Sequence, residues 1–218
     1  MAWQATGTMS ANHYFEPRPK TPSKQRSVQL TLPDLTLQLT TDRGMFSPDE
    51  IDTGTRVLLA EAPSPVGVTV ALDLGCGYGP IACALATRAP GAVVWAIDVN
   101  ERAVALCAQN AAANALSGVR AMLPDDVPDE VQFDLIWSNP PIRVGKAALH
   151  QLLMRWLPRL TPTGSAVLVV QKHLGSDSLA TWLGEQDFEV IRLASRQAYR
   201  VLQVRRSTAR LDDSGATS

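Results

Sequence analysis

The chain has 218 residues, 45% apolar and 19% charged, which suits one globular domain. Lys and Arg number 20 against 21 Asp and Glu, and the resulting net charge of −1 argues against gripping nucleic acid by bulk charge. No apolar run approaches the ~18 residues of a membrane span. Cys76, Cys83 and Cys107 lack a CxxC pairing, which disfavours a disulfide framework or cysteine zinc site and predicts a reducing cytoplasm.

The start lacks a basic segment followed by an apolar one, so no secretory signal is expected. Residues 1–26 are polar and carry Pro17, Pro19 and Pro22, which reads as a flexible segment, although His13-Tyr14-Phe15 is more aromatic than a tail needs. Val28 to Leu32 and Leu35 to Thr40 alternate with period two across Pro33-Asp34, predicting a β-hairpin with one buried face. Ser47, Pro48 and Glu50 form a capping box and predict a helix starting there. Residues 27–65 are thus expected as a hairpin and helix packed on a core domain of residues 66–206.

From residue 66 strands alternate with helices. Val68 to Leu74, Ala92 to Ile97, Val119 to Leu123, Phe133 to Trp137 and Ser165 to Val170 read as strands. Ile81 to Thr87, Glu101 to Ala115, Ala147 to Leu160 and Ser178 to Gln186 read as helices. That order implies βαβ units in an α/β fold, a mainly parallel sheet with helices on both faces. Two successive strands, Phe188 to Leu193 and Tyr199 to Val204, predict an antiparallel hairpin at one edge. Residues 207–218 are expected to be a disordered tail.

Three strand ends carry candidate chemistry. Asp73-Leu-Gly75-Cys-Gly77-Tyr-Gly79-Pro follows the first parallel strand and opens a helix, where glycines permit a sharp turn and close approach of a ligand. Asp98-Val99-Asn100 ends the second strand, 23 residues after Gly75, where a carboxylate can accept both hydroxyls of a ribose. Asn100 is the better cap for the next helix. Asp125 or Asp126, after the third strand, can accept from an adenine amino group; the residue pattern does not choose between them.

Ser138-Asn139-Pro140-Pro141-Ile142-Arg143-Val144-Gly145-Lys146 follows the fourth strand, at the ligand-binding edge of an open α/β sheet. Prolines lack N–H donors, and Asn139 adds a side-chain carbonyl acceptor. Two acceptors facing a planar amino group can hold both its hydrogens and aim its nitrogen at an electrophile. Asn139, Pro140 and Pro141 are therefore the expected catalytic element.

Taken together, these motifs resemble the class I S-adenosylmethionine-dependent methyltransferases. Asn139-Pro-Pro-Ile-Arg-Val-Gly-Lys146 is similar to the "methyltransferase small" group related to bacterial small-subunit ribosomal RNA guanine-N2 methyltransferases. His13-Tyr14-Phe15, Thr41 to Ser47, Lys172-His173-Leu174 and Tyr199 to Leu202 look like that group too. The resemblance covers roughly residues 12–205. It implies a Rossmann-like seven-stranded sheet, S-adenosyl-L-methionine as methyl donor, and methylation of an exocyclic amine of RNA, guanine N2 in small-subunit ribosomal RNA. It places Asp73, Gly75, Gly77, Gly79, Asp98, Val99, Asp125, Asp126, Asn139, Phe46 and Ser47 at the cofactor. It places Ile142, Arg143, Lys146, Tyr14 and Phe15 at the substrate. Ile142 stands where many relatives carry an aromatic, so Tyr14, Phe15 or Tyr78 must supply any stacking ring. A glutamine-amide protein methyltransferase would use the same acceptors. An NAD-dependent dehydrogenase and a non-catalytic RNA-binding module are rival readings from other classes.

The net charge conceals a segregation. Residues 44–142 carry −8 and residues 143–210 carry +7. The predicted cofactor half is acidic, and the predicted target side is basic, with Arg143, Arg155, Arg159, Arg192, Arg196, Arg200, Arg205 and Arg206. The cysteines read as small buried residues, and His150 and His173 lack ligand-spaced partners, so no metal is expected.

Overall fold

The computed structural model describes residues 22–43, 50–141 and 145–207. Strands β1 (Arg26–Leu32) and β2 (Leu35–Thr41) form the expected antiparallel hairpin. Val28, Leu30, Leu35, Leu37 and Leu39 are buried while Gln29, Thr36 and Gln38 face out, the signature of one packed face. The hairpin is tied to the core by polar clips as well. Asn110 accepts from the Thr40 N–H at 2.6 Å and donates to the carbonyls of Thr40 and Tyr78 at 2.8 and 2.7 Å. The Arg88 guanidinium grips Asp34 with two hydrogen bonds, holding its carboxyl below the usual range.

Helix α1 spans Thr53–Glu61, not the segment beginning at Ser47. Asp52 caps it, accepting from Thr55 N at 3.1 Å, while Glu50 lies at an exposed bend before the helix. Ser47 and Asp52 are both competent caps. The choice goes to Asp52, which starts the helix where Val57, Leu58 and Leu59 are buried. Ser47 and Pro48 lie outside the described residues.

Strand β3 (Val70–Leu74), helix α2 (Pro80–Arg88), strand β4 (Val93–Ile97), helix α3 (Glu101–Ala113), strand β5 (Val119–Met122) and strand β6 (Phe133–Ser138) follow in βαβ order. Helix α4 (Lys146–Trp156) stops earlier than expected. Pro158 has no N–H to continue the ladder, so Leu157–Arg159 form a 3₁₀ turn and strand β7 starts at once (Leu160–Gln171). Helix α5 (Ser176–Glu185) and strands β8 (Phe188–Arg196) and β9 (Tyr199–Arg206) complete the described chain.

The sheet order is β5-β4-β3-β6-β7-β9-β8, parallel from β5 through β7 and antiparallel at β9 and β8. This is the expected Rossmann-like seven-stranded sheet with an antiparallel edge hairpin. Both faces are covered. Ala71, Val94, Leu135, Val167 and Val201 pack under α1, α2, α3 and the hairpin. Leu72, Ile136, Leu168 and Leu202 pack under α4 and α5, with Trp156 fully buried. Strand order reverses beside β3, so the loops after β3 and β6 face one crevice at the carboxyl edge, where such sheets bind ligands.

Candidate active site

Leu74 hands the chain to the glycine loop, and Ser138 Oγ donates to its carbonyl at 2.6 Å, locking the ends of β3 and β6 together. The N–H groups of Gly75 and Cys76 both donate to the Ile97 carbonyl at 2.9 Å. Gly75, Gly77 and Gly79 adopt φ of 79°, 55° and 94°, which L side chains rarely take. At Gly75 and Gly77 an added Cβ would meet nothing within 4 Å, so the constraint there is backbone conformation, and the space above is open. At Gly79 a Cβ would lie 2.7 Å from Cys107 Sγ and 3.2 Å from Cys107 Cα. Gly79→Ala is therefore expected to destabilise the protein by about 2–4 kcal/mol, from left-handed strain plus overpacking, whereas Gly75→Ala meets only the strain, about 1–2 kcal/mol. Thermal melting checks this: the gap between the two variants should be several degrees.

Asp98, buried at the end of β4, accepts from Gly77 N at 3.0 Å with Oδ2 and from Asn100 N at 2.9 Å with Oδ1. Burial raises its pKa. Each oxygen retains a lone pair for a further donor. Asn100 caps α3, accepting from Arg102 N at 2.9 Å and from Ala103 N, which leaves Asp98 to the loop. Val99 is half-buried beside it.

Asp73 is fully buried behind the loop. Its Oδ2 accepts from Ala82 N at 2.8 Å, while Oδ1 has no hydrogen-bond partner. Burial, reinforced by the neighbouring Asp98 charge, pushes its pKa up to about 8. The native protein therefore holds this proton where the unfolded chain has released it. The stability Asp73 contributes relative to Asp73→Asn should fall as pH rises from about 4 to about 8, then level off. Melting curves of both proteins across that window test it; parallel curves would contradict the raised pKa.

Asn139 stands half-buried at the end of β6. Its Nδ2 donates to Asp52 Oδ2 at 2.7 Å and to Thr55 Oγ1 at 3.1 Å. Asp52, Thr55, Gly75, Cys76, Gly77, Tyr78 and Asn139 line one cleft. Pro140 is buried and Pro141 half-buried just beyond. Asp52 and Thr55 were not singled out by sequence reasoning as site residues; the available signal was an Asp three residues before a Thr ahead of Val57-Leu-Leu, a second helix start. Tyr78 is buried, and burial raises its hydroxyl pKa.

Other expected residues lie elsewhere. Asp125, on the 3₁₀ turn Pro124–Asp126, is exposed and paired with Arg155 at 2.8 Å; Asp126 is exposed on the same turn. Lys146 is exposed at the start of α4. Tyr14, Phe15, Phe46, Ser47, Ile142 and Arg143 lie outside the described residues. Several arginines of the basic stretch are engaged within the chain: Arg192 and Arg200 with Asp177, Arg196 with Glu61, and Arg159 over the Phe133 and Trp156 rings. Arg205 and Arg206 are exposed. The three cysteines are free and buried. Among the described residues no cluster of His, Cys, Asp or Glu could hold a metal, and no helix is long and apolar enough to cross a membrane.

Residues 36–203 match the family profile described as "methyltransferase small domain". The chain belongs to that family. It is 32% identical over 199 residues to the uncharacterized protein YbxB of Bacillus subtilis, covering 90% of this chain and 99% of YbxB. It is 30% identical over 178 residues to ribosomal RNA small subunit methyltransferase C of Shewanella amazonensis, covering 79% of this chain and 50% of that protein. The solved T. thermophilus 16S rRNA N2 G1207 methyltransferase (RsmC), in complex with AdoMet and guanosine, superposes with a TM-score of 0.67 at 27% identity, over 86% of this chain and 52% of that one. The chain thus spans about half the length of the ribosomal RNA methyltransferases it matches. Membership in a methyltransferase family sets the dehydrogenase reading aside.

Proposed function

We propose that the protein methylates an exocyclic amine of ribosomal RNA, with guanine N2 of small-subunit RNA as the specific target. The carrying observation is Asn139: its amide donors are taken by Asp52 and Thr55, which leaves Oδ1 as an acceptor beside the glycine cleft. An acceptor there selects a target that donates, an amine rather than an oxyanion. The likeness to RsmC supports guanine N2.

The donor set fits S-adenosyl-L-methionine. Asp98 keeps acceptor lone pairs at the loop, the open space over Gly75 and Gly77 admits close approach of a ligand, and Asp73 supports the loop from behind. When bound, that cofactor supplies an electrophilic methyl on a sulfonium. Asp98 accepts the ribose hydroxyls with its remaining lone pairs, beside Val99. Asp125 or Asp126 accepts from the adenine amino group, and Arg155 pairs with Asp125. Gly79 shapes the loop, and the resemblance assigns Phe46 and Ser47 to the cofactor. Asn139 Oδ1 and the Pro140 carbonyl each accept one amine hydrogen, Pro141 fixes the turn, and the nitrogen lone pair is aimed at the methyl. The proton passes to water.

The resemblance assigns Lys146 and Arg143 to RNA phosphate and Tyr14, Phe15 and Ile142 to the base. Residues 66–206 act as the catalytic domain, with 27–65 supplying the Asp52 clamp. The work is done in the cytoplasm, without a metal or membrane. Incubating the protein with labelled cofactor and small subunits, large subunits, naked ribosomal RNA or release factors tests the reading. Label mapped to guanine N2 of small-subunit RNA supports it. Label confined to protein overturns it in favour of a glutamine-amide methyltransferase.

A further inference from the structure

We infer that Asp52 and Thr55 are positioning residues that lock the Asn139 amide in the one orientation that presents its carbonyl to the target amine. The inference rests on the proposed role of Asn139. An amide viewed alone is ambiguous, since its oxygen and nitrogen exchange places by a flip. Here the neighbours decide. A carboxylate only accepts, and Asp52 Oδ2 lies 2.7 Å from the Asn139 nitrogen. A flip would set carbonyl oxygen against carboxylate, exchanging a charge-assisted hydrogen bond for repulsion. Thr55 Oγ1 takes the second N–H at 3.1 Å, so both donors are spent on the helix side.

The clamp is built into a helix start. Asp52 Oδ2 also accepts from Thr55 N at 3.1 Å, so one oxygen both caps α1 and holds Asn139. The approach requires Gly54. A Cβ there would sit 2.8 Å from Tyr199 Cε1, 2.9 Å from Asp52 Oδ2 and 3.3 Å from Asn139 Nδ2. Tyr199 is held in turn by Gln171 Nε2, which donates to its hydroxyl at 2.8 Å. The N-terminus of α1, the end of β6 and the start of β9 therefore meet at one amide. Helix α1 lies outside the alternating βαβ core, yet it sets which functional group Asn139 can recognise.

Asp52→Asn separates capping from positioning, because Asn caps helices as well as Asp does. It admits either amide orientation of Asn139. Turnover on unmethylated small and large ribosomal subunits should fall about 10- to 100-fold, as expected when a reacting group is misplaced. The cofactor dissociation constant and the melting temperature should stay near those of the unmutated protein. Asp52→Asn added to Asn139→Ala should cost nothing further. In a nitrogen-15 spectrum the Asn139 side-chain amide should exchange slowly with solvent in the unmutated protein and fast in Asp52→Asn. Normal turnover of Asp52→Asn alongside an inactive Asn139→Ala overturns the positioning role and leaves the Asn139 reading standing. An active Asn139→Ala overturns both. A rapidly exchanging Asn139 amide in the unmutated protein overturns the clamp whatever the substrate proves to be.

Discussion

Replacing Asn139 by alanine is expected to lower turnover by about 10²-fold or more, comparable to removing one preorganised transition-state contact. The acceptor that holds the amine disappears, and the Asp52 carboxylate and Thr55 hydroxyl lose the amide they share. The Pro140 carbonyl remains but cannot orient the nitrogen alone. Cofactor affinity should barely change, because Asp73 and Asp98 do not touch Asn139 in the described hydrogen-bond network. Steady-state kinetics with labelled cofactor check this: a lower kcat with an unchanged cofactor KM marks a contact made at the reacting centre. A raised cofactor KM with normal kcat would assign Asn139 to cofactor binding instead.

Asp98→Asn is expected to weaken cofactor binding by about 10²-fold, since losing a hydrogen bond to a charged acceptor costs roughly 1.5–3 kcal/mol. The carboxylate accepts from two backbone donors at once, Gly77 N at 3.0 Å and Asn100 N at 2.9 Å. A carboxamide must turn its NH₂ toward one of these N–H groups. The glycine loop then loosens, and one acceptor for the ribose is lost in the same step. Calorimetric titration with S-adenosylhomocysteine reads the effect directly. Unchanged affinity would show that Asp98 serves the loop alone.

How far the site was legible follows from how far apart its partners lie. The hairpin β1–β2 was readable because period-two burial is local: Leu30 and Leu37 face the core and Gln29 and Gln38 do not. The glycine loop was readable because three glycines at that spacing after a strand permit a turn that other residues resist. The start of α1 was not. Ser47 and Asp52 satisfy the same local rule, and the packing of Val57, Leu58 and Leu59 broke the tie. The basic C-terminal stretch was legible as charge but not as surface. Arg192, Arg196 and Arg200 spend their charge on Asp177 and Glu61, acids on other elements. Asp125 and Asp126 are equivalent in sequence, and the Arg155 partner of Asp125 lies 30 positions away, where local pattern does not reach.

By itself, the sequence determined the α/β class, the alternation of strands and helices along the chain, the glycine loop and the Asn139-Pro-Pro element, because each rests on periodicity or on backbone freedom within a few residues. Tertiary structure alone decided which way Asn139 points and what leaves its carbonyl available. Its clamp comes from Asp52, 87 positions away along the chain. Hydrogen-bond direction depends on which donors and acceptors meet in space, and only the packing of α1 against the ends of β6 and β9 brings these together.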